Sequence, residues 1–273
     1  MPDDELLARL RRFNEDAFPQ YREQFKTLVE DGQHPTTLFI GCSDSRLVRY
    51  LLTGAGPGEL FIVRNVGAFV PPYDGSHGLH GTAAAIEFAV LSLQVSRIVV
   101  CGHSHCGAIK TLYGEVPAEA QNLRRWLDLG REAALPVVPG PEALRRTEQR
   151  AVVLQLERLM DYPMVRRRVE EGSITLHGWH YVIEDGEVHV FDVRTGDFVP
   201  ASRATSSGTG PLPPLRRTRR AGAGRCVKPG LALGHRGGNK ILQSPEASLG
   251  AACRGSAGKP AKPGGSKSLN CHP

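Results

Sequence analysis

The chain has 273 residues, 40% of them hydrophobic, and a formal net charge of +6, which is enough for one large or two small domains. No stretch approaches the roughly eighteen apolar residues of a membrane-spanning helix. The acidic start Met-Pro-Asp-Asp-Glu lacks the positive charge of a signal peptide. The sequence therefore predicts a soluble, cytosolic protein without a membrane partner.

The first predicted element is a helix over residues 3–31, broken by Pro19. Apolar side chains recur there at intervals of three and four residues, as on one face of an amphipathic helix. A turn containing Gln33 follows. The apolar positions of this arm are Leu6, Leu10, Phe13, Ala17, Tyr21, Phe25, Leu28 and Val29.

A buried strand over residues 37–41 leads into the motif G-C-S-D-S-R at 41–46. The motif places a thiol, a carboxylate and a guanidinium at the alternate positions Cys42, Asp44 and Arg46. Such groups are costly at the edge of a core unless a metal or their own pairing satisfies them. A short helix and a turn at 47–58 and a strand at 59–64 come next.

A helix over residues 81–93 precedes a strand at 96–101, which ends in the motif G-H-S-H-C-G at 102–107. If the two strands are parallel neighbours, their carboxyl ends meet, and Cys42, His103 and Cys106 converge. Two thiolates and one imidazole suit zinc, and three protein ligands with one open position are typical of catalytic zinc. The alternative is a closed structural site in which Asp44 or Cys101 is the fourth ligand.

The remaining helices are predicted at 104–113, 117–140, 142–160 and 163–171, with Gly107 in the first turn of the first of them. Backbone N–H groups there would bind an anion. A strand at 173–184 and a strand at 187–192 then form a hairpin around Asp185-Gly186. The pattern predicts an α/β fold with a mostly parallel central sheet, an antiparallel edge strand and flanking helices. His177, His180 and His189 are expected at the surface or at a strand edge.

The last part of the chain differs in composition. Residues 206–273 hold 13 Gly, 8 Pro and no aromatic residue, too little apolar surface to offset ordering. They also hold twelve Lys or Arg against one acidic residue. We therefore expect a basic, disordered tail, with binding of nucleic acid, an acidic partner or a shell protein as open options.

Four motifs together resemble those of the β-class carbonic anhydrases: C-S-D-S-R at 42–46, P-G-E-L-F-I-V-R-N at 57–65, G-H-S-H-C-G at 102–107 and L-H-G-W-H-Y at 176–181. The resemblance covers about residues 5–202 and implies a catalytic domain at 1–205. It also implies one zinc ion per chain, bound by Cys42, His103 and Cys106. The implied reaction is hydration of carbon dioxide to bicarbonate and a proton by a zinc-bound hydroxide.

The resemblance extends to single residues. An ionised Asp44, clamped by Arg46, would accept a hydrogen bond from the reacting group and so orient it; in part of the family the matching aspartate becomes a fourth metal ligand that closes the site. Phe61 and Val66 match the apolar wall of the carbon dioxide pocket. Gln33 matches a glutamine that binds bicarbonate from the neighbouring subunit, although a solvated turn residue is equally compatible with its position. The amino-terminal helices would pack on a partner, giving a homodimer or a larger homo-oligomer.

Two other functions are compatible with these residues. Related proteins hydrolyse carbon disulfide or carbonyl sulfide with the same metal ligands. A non-catalytic, zinc-stabilised protein that binds nucleic acid or an acidic partner through its basic tail is the alternative from another class.

Overall fold

A computed structural model describes residues 4–73 and 80–204. The predicted tail at 206–273 lies outside the described residues. The strands are β1 (Thr37–Cys42), β2 (Leu60–Asn65), β3 (Arg97–His103), β4 (Thr175–Val182), β5 (Glu187–Asp192) and β6 (Asp197–Pro200). The helices are α1 (Glu5–Arg12), α2 (Phe18–Glu30), α3 (Arg49–Thr53), α4 (Gly81–Glu87), α5 (Gly107–Thr111), α6 (Gln121–Leu127), α7 (Pro141–Leu159) and α8 (Pro163–Glu170).

The six strands form one sheet in the order β2-β1-β3-β4-β5-β6. The first four are parallel, and β5 and β6 continue the sheet in antiparallel pairing. The α/β fold with a mostly parallel sheet is therefore confirmed. Its antiparallel part is wider than predicted, because the sequence pattern did not indicate β6. This strand has only four residues and ends in Pro200, a residue type confined to sheet edges.

The core lies on both faces of the sheet. In β1 and β3, the even-numbered side chains apart from Cys42 pack with α4, α7 and α8. Cys42 and the odd-numbered side chains pack with α5, α6, Ala151 of α7 and a 3-10 segment at Asp128–Ala133. This separation follows from the two-residue period of a strand. The even-numbered residues are Leu38, Ile40, Ile98 and Val100, and the odd-numbered ones are Phe39, Val99 and Cys101.

Three helix predictions need correction. The amino-terminal helix does not break at Pro19, because α1 continues through a wide π turn at Phe13–Ala17 into α2. Pro19 lies in the first turn of α2, where a backbone N–H is dispensable. Within the predicted helix at 117–140, only α6 and the 3-10 segment after it are helical. The helix predicted at 104–113 begins at Gly107.

The amino-terminal arm, residues 5–30, contributes no buried residue to the fold of the single chain. Its apolar side chains are largely exposed, with Leu6 at 65% and Val29 at 83%. A hydrogen bond from Gln24 Nε2 to the carbonyl of Pro57, at 3.0 Å, joins it to the loop before β2. Packing of the arm on a partner subunit stays a prediction.

His180 is not at the surface, contrary to the expectation for the three histidines of the final hairpin. It is fully buried because β4 lies between β3 and β5 and every second residue of β4 faces the core. His177 and His189 are partly exposed. No helix within residues 4–73 and 80–204 combines the length and apolarity needed to cross a bilayer.

Candidate metal centre

The carboxyl ends of β1 and β3 bring together the two motifs that the sequence singled out. Cys42 is the last residue of β1, His103 is the last residue of β3, and Cys106 immediately precedes α5. The two strands are adjacent and parallel, with Gly41 opposite Cys101. The ligand atoms of Cys42, His103 and Cys106 lie within 4.8 Å of one another, and all three residues are buried. The predicted convergence is confirmed.

The imidazole of His103 is oriented for metal binding. Its Nδ1 lies 2.8 Å from the carbonyl oxygen of Ser104, and because a carbonyl only accepts, Nδ1 carries the proton. The lone pair is then on Nε2, which is buried without a hydrogen-bond partner. A ligand histidine held through its other nitrogen is the usual arrangement in metal sites. Two cysteine sulfurs and this free Nε2 fit a zinc ion.

The two thiols of the cluster share one negative charge in the metal-free chain. A hydrogen bond from Cys106 lowers the pKa of Cys42 to about 4 despite its burial. The hydrogen bond with Cys42, together with burial, raises the pKa of Cys106 far above its usual value. Cys42 is therefore a thiolate at neutral pH, and Cys106 is its thiol donor.

The carboxylate of Asp44 lies beside the cluster and is held by Arg46. The Arg46 side chain donates from Nε to Oδ1 at 2.9 Å and from Nη2 to Oδ2 at 2.7 Å, and the Arg46 amide donates to Oδ1 at 3.0 Å. These hydrogen bonds hold the pKa of Asp44 well below its usual range. Oδ2 is 3.8 Å from Nε2 of His103, so a permanently charged acceptor faces the cluster.

Two arginines tie the loop of residues 42–46 to its neighbours. Arg46 Nη2 also donates to the carbonyl of His105 at 3.0 Å. His105 has a left-handed backbone, with φ of 56°, which a non-glycine residue seldom adopts. Arg64 on β2 donates to the carbonyls of Cys42 and Asp44. The loop is thus anchored on both sides.

The structure favours an open centre over the closed alternative. Cys101 is fully buried in the core, outside the cluster, and burial raises the pKa of its thiol. The Asp44 carboxylate is engaged by Arg46. Among the described residues, Cys42, His103 and Cys106 form the one group of three or more candidate ligands.

The residues predicted to contact substrate divide into two groups. Val66 follows directly on Asn65, which pairs with Cys42 across the sheet, and Gly107 is the first residue of α5, next to Cys106. Gln33 and Phe61 lie elsewhere. Gln33 precedes the opposite end of β1, and Phe61 packs on Phe88 with ring centroids 5.6 Å apart. Neither reaches the cluster of its own chain.

Glu148 and His180 are buried beside the cluster, and neither was proposed as a site residue from the sequence. Glu148 on α7 accepts the amide N–H of Cys106, and its other carboxylate oxygen contacts His180 on β4. The sequence contains a signal for the burial of each residue. Glu148 shares the apolar face of its helix with Val152 and Gln155, and His180 alternates with the buried Leu176, Gly178 and Val182.

Comparisons with known proteins agree with this geometry. A family model described as carbonic anhydrase matches residues 37–188. Carbonic anhydrase 1 of Escherichia coli O157:H7 is 42% identical over 203 residues, which cover 72% of this chain and 91% of that protein. A carbonic anhydrase of a Synechocystis strain is 38% identical over 208 residues, covering 72% of this chain and 74% of that protein.

Solved structures show the same fold. The β-carbonic anhydrase CcaA superimposes with a TM-score of 0.69 at 36% identity, covering 76% of this chain and 93% of that one. One of two tetrameric β-carbonic anhydrases from Sordaria macrospora superimposes with a TM-score of 0.60 at 29% identity, covering 68% of this chain and 96% of that one.

Proposed function

This chain belongs to the β-carbonic anhydrase family, a family of lyases, and on that premise we propose that it hydrates carbon dioxide reversibly to bicarbonate and a proton. The observation that carries the proposal is the buried cluster of Cys42, His103 and Cys106, with an unpartnered Nε2 and a charged Asp44 beside it. The cluster supplies the ligands, and Asp44 supplies a fixed acceptor.

Cys42, His103 and Cys106 would hold one zinc ion per chain. Bound there, zinc supplies a Lewis acid that lowers the pKa of a coordinated water and makes a nucleophile available at moderate pH. The Cys42 thiolate is already formed in the metal-free chain, and His103 presents its lone pair from a fixed orientation. Free thiol ligands require a reducing compartment, which supports a cytoplasmic location.

Asp44 orients the reacting group. An ionised carboxylate only accepts hydrogen bonds, so it selects a neighbour that still has a proton to donate. Arg46 keeps Asp44 ionised through two side-chain hydrogen bonds and holds it at a fixed angle. If the reacting group directs its proton at Asp44, the oxygen that carries this proton has a lone pair free for carbon dioxide. Because Asp44 stays engaged by Arg46, it does not close the centre as a fourth ligand at neutral pH.

The substrate pocket requires a second copy of the chain in this proposal. Val66 and Gly107 border the cluster of their own chain, Val66 as an apolar wall and Gly107 through its backbone N–H. Gln33 and Phe61 are too far along β1 and β2 to reach it and would act at the centre of a partner subunit. The uncovered apolar side of the arm supports a homo-oligomer, and the Sordaria macrospora relatives are tetrameric.

The direct test measures zinc content and carbon dioxide hydration on one preparation of the whole chain. We expect one zinc per chain and rapid hydration in stopped-flow measurements, both lost after removal of the metal with a chelator. Hydrolysis of carbonyl sulfide is assayed in parallel. Zinc binding with hydrolysis of carbonyl sulfide but no hydration of carbon dioxide would contradict the proposal.

We further propose that residues 1–205 form the catalytic domain. They contain every residue assigned to the site, and the family model ends at residue 188. Removal of 206–273 is therefore expected to leave the hydration rate of the zinc-loaded protein unchanged. A shortened chain that binds zinc but no longer hydrates carbon dioxide would show that the tail takes part in the reaction.

A further inference from the structure

A buried carboxylate and a buried imidazole connect α7 and β4 to the metal ligand Cys106. Glu148 is 4% exposed and His180 is 0% exposed. Oε1 of Glu148 accepts the amide N–H of Cys106 at 3.1 Å, and Oε2 lies 3.1 Å from Nε2 of His180. The three residues come from α7, β4 and the junction between β3 and α5, and they form one continuous hydrogen-bonded chain.

The direction of these hydrogen bonds follows from the chemistry of the groups. An ionised carboxylate has no proton to donate, so the Cys106 amide and His180 Nε2 are the donors. Nδ1 of His180 is buried without a hydrogen-bond partner in the described part of the chain. The imidazole is thus directed at Glu148 through Nε2 alone.

Packing by itself does not explain this pair. Burial of a carboxylate is costly even when it is hydrogen-bonded, and apolar side chains of similar volume often stabilise a core as well or better. The pair meets the chain at the point where β3 has ended and α5 has not begun. Cys106 is the N-cap residue of α5, and its side chain makes no capping hydrogen bond. The Glu148 carboxylate accepts a hydrogen bond from the amide N–H of Cys106.

We propose that Glu148 and His180 are positioning residues that hold Cys106 in the orientation needed to bind the metal. The proposal rests on the metal centre of the proposed function. Glu148 fixes the backbone of Cys106, so that the sulfur stays directed at Cys42 and His103. His180 fixes the carboxylate of Glu148. The pair acts from the buried side of the cluster, whereas Asp44 and Arg46 act from its more exposed side.

The two side chains differ in what their removal leaves behind. Without Glu148, the buried amide of Cys106 loses its acceptor, and the loss falls directly on a ligand. Without His180, Glu148 keeps the Cys106 amide but its second oxygen loses its donor. Mutation of a group that orients a metal ligand typically weakens metal binding by about 10–100-fold. We expect Glu148→Ala to lie near the upper end of that range and His180→Leu near the lower end.

The experiment compares zinc affinity across matched variants of the full chain by competition with a chromophoric chelator. Glu148→Ala and His180→Leu remove the hydrogen bonds, whereas Glu148→Gln and His180→Gln keep an acceptor and a donor. Thr147→Val is the control, because Thr147 is the adjacent residue of α7, is equally buried, and bonds to Tyr113 rather than to a ligand. Cobalt absorption spectra then report the geometry of the thiolate ligands.

We expect weaker zinc binding and a shifted cobalt spectrum for Glu148→Ala and His180→Leu, near wild-type behaviour for both glutamine variants, and no change for Thr147→Val. Equal affinity and an equal spectrum for Glu148→Ala and wild type would overturn the inference. So would a loss in Thr147→Val or Glu148→Gln as large as that in Glu148→Ala. If Glu148→Ala does not fold, the comparison of His180→Leu with His180→Gln decides.

These outcomes separate the inference from the proposed function. If the zinc affinity does not change when Glu148 or His180 is replaced, the positioning role is wrong and the proposed hydration activity is unaffected. A wild-type chain that binds zinc without hydrating carbon dioxide removes the activity and leaves the zinc affinities of the variants to be compared.

Discussion

The Asp44–Arg46 pair has a counterpart elsewhere in the same chain. Asp192 and Arg194 are also two residues apart, and Arg194 donates to Asp192 from its amide, from Nε and from Nη2. The hydrogen-bond pattern therefore belongs to the local Asp-x-Arg sequence. The surroundings distinguish the two pairs, because Asp44 lies beside a histidine of the candidate metal centre, with Oδ2 at 3.8 Å from His103 Nε2.

Asp44→Asn is expected to lower the rate of carbon dioxide hydration by about 100-fold, the effect of losing an orienting contact at a reacting group. The amide can donate as well as accept, so it no longer selects a proton donor. Stopped-flow hydration and zinc content are measured together, and zinc is expected to stay bound. Asp192→Asn is the matched control and should leave the rate unchanged. A fully active, zinc-loaded Asp44→Asn variant would remove the role given to Asp44.

Zinc binding is expected to release protons from the cluster. The hydrogen bond with Cys42, together with burial, raises the pKa of Cys106. This thiol therefore holds its proton in the metal-free chain near neutral pH and loses it to the metal, while Cys42 is already ionised. Zinc affinity should therefore rise with pH through the neutral range, with about one proton released per zinc. Calorimetry in buffers of different ionisation enthalpy measures this number, and an enthalpy independent of the buffer would contradict it.

At the scale of elements, α7 lies close to the sheet because two glycines face it. A Cβ on Gly102 of β3 would come within 2.7 Å of Val152 Cγ2, and one on Gly178 of β4 within 3.0 Å of Val152 Cγ1. The missing side chains let the helix approach, and the same approach brings Glu148 to the amide of Cys106. The packing of α7 and the position of the Cys106 backbone are thus coupled.

Gly102→Ala is expected to destabilise the fold by about 1–3 kcal/mol through overpacking. Val152 is stiff at χ1 and cannot turn its methyl group away freely. The free energy of unfolding is measured in denaturant, and the double variant Gly102→Ala/Val152→Ala should recover part of the loss. Gly114→Ala is the control, because a Cβ there meets no atom within 4 Å. Equal stability of the two single variants would show that α7 does not depend on this close approach.

At the scale of the whole molecule, the part of the chain that the structure describes leaves apolar surface exposed. One such surface is the arm of residues 5–30, where Leu6, Leu7, Leu10, Phe13, Tyr21 and Phe25 are exposed. Another is a cavity of about 850 Å³ on the odd-numbered face of the sheet, with Phe39, Val99 and Trp179 among its walls. Exposed apolar surface of this extent marks an interaction site, and the proposed homo-oligomer would bury it.

Leu10→Glu is expected to dissociate the proposed oligomer, because a charge would replace an apolar contact. The hydration rate should fall with it, since Gln33 and Phe61 would no longer reach a partner's centre. Light scattering after size exclusion measures the mass. Arg12→Glu, about 200° around the same helix from Leu10, is the control and should keep both mass and activity. An active Leu10→Glu monomer would show that one chain suffices.

Much of the fold and of the candidate site is readable from the sequence, because the signals are local. Strand periods, the glycine turn at Asp185-Gly186 and the two motifs at the strand ends predict the sheet and the ligands Cys42, His103 and Cys106. The chemistry of two thiols and one imidazole then limits the metal. The short β6 and the uninterrupted helix through Pro19 escaped prediction because propensity and pattern are weak over a few residues.

Only the tertiary structure decided what surrounds those ligands. Glu148 and His180 lie 42 and 74 positions beyond Cys106 along the chain, and they meet it because α7 packs against β3 and β4. The free Nε2 of His103 likewise depends on packing that leaves it buried without a partner. Local sequence sets which groups are present and how neighbouring residues pair. Long-range packing determines which distant groups share a buried space. Hydrogen bonds are important in such a space because water cannot replace them.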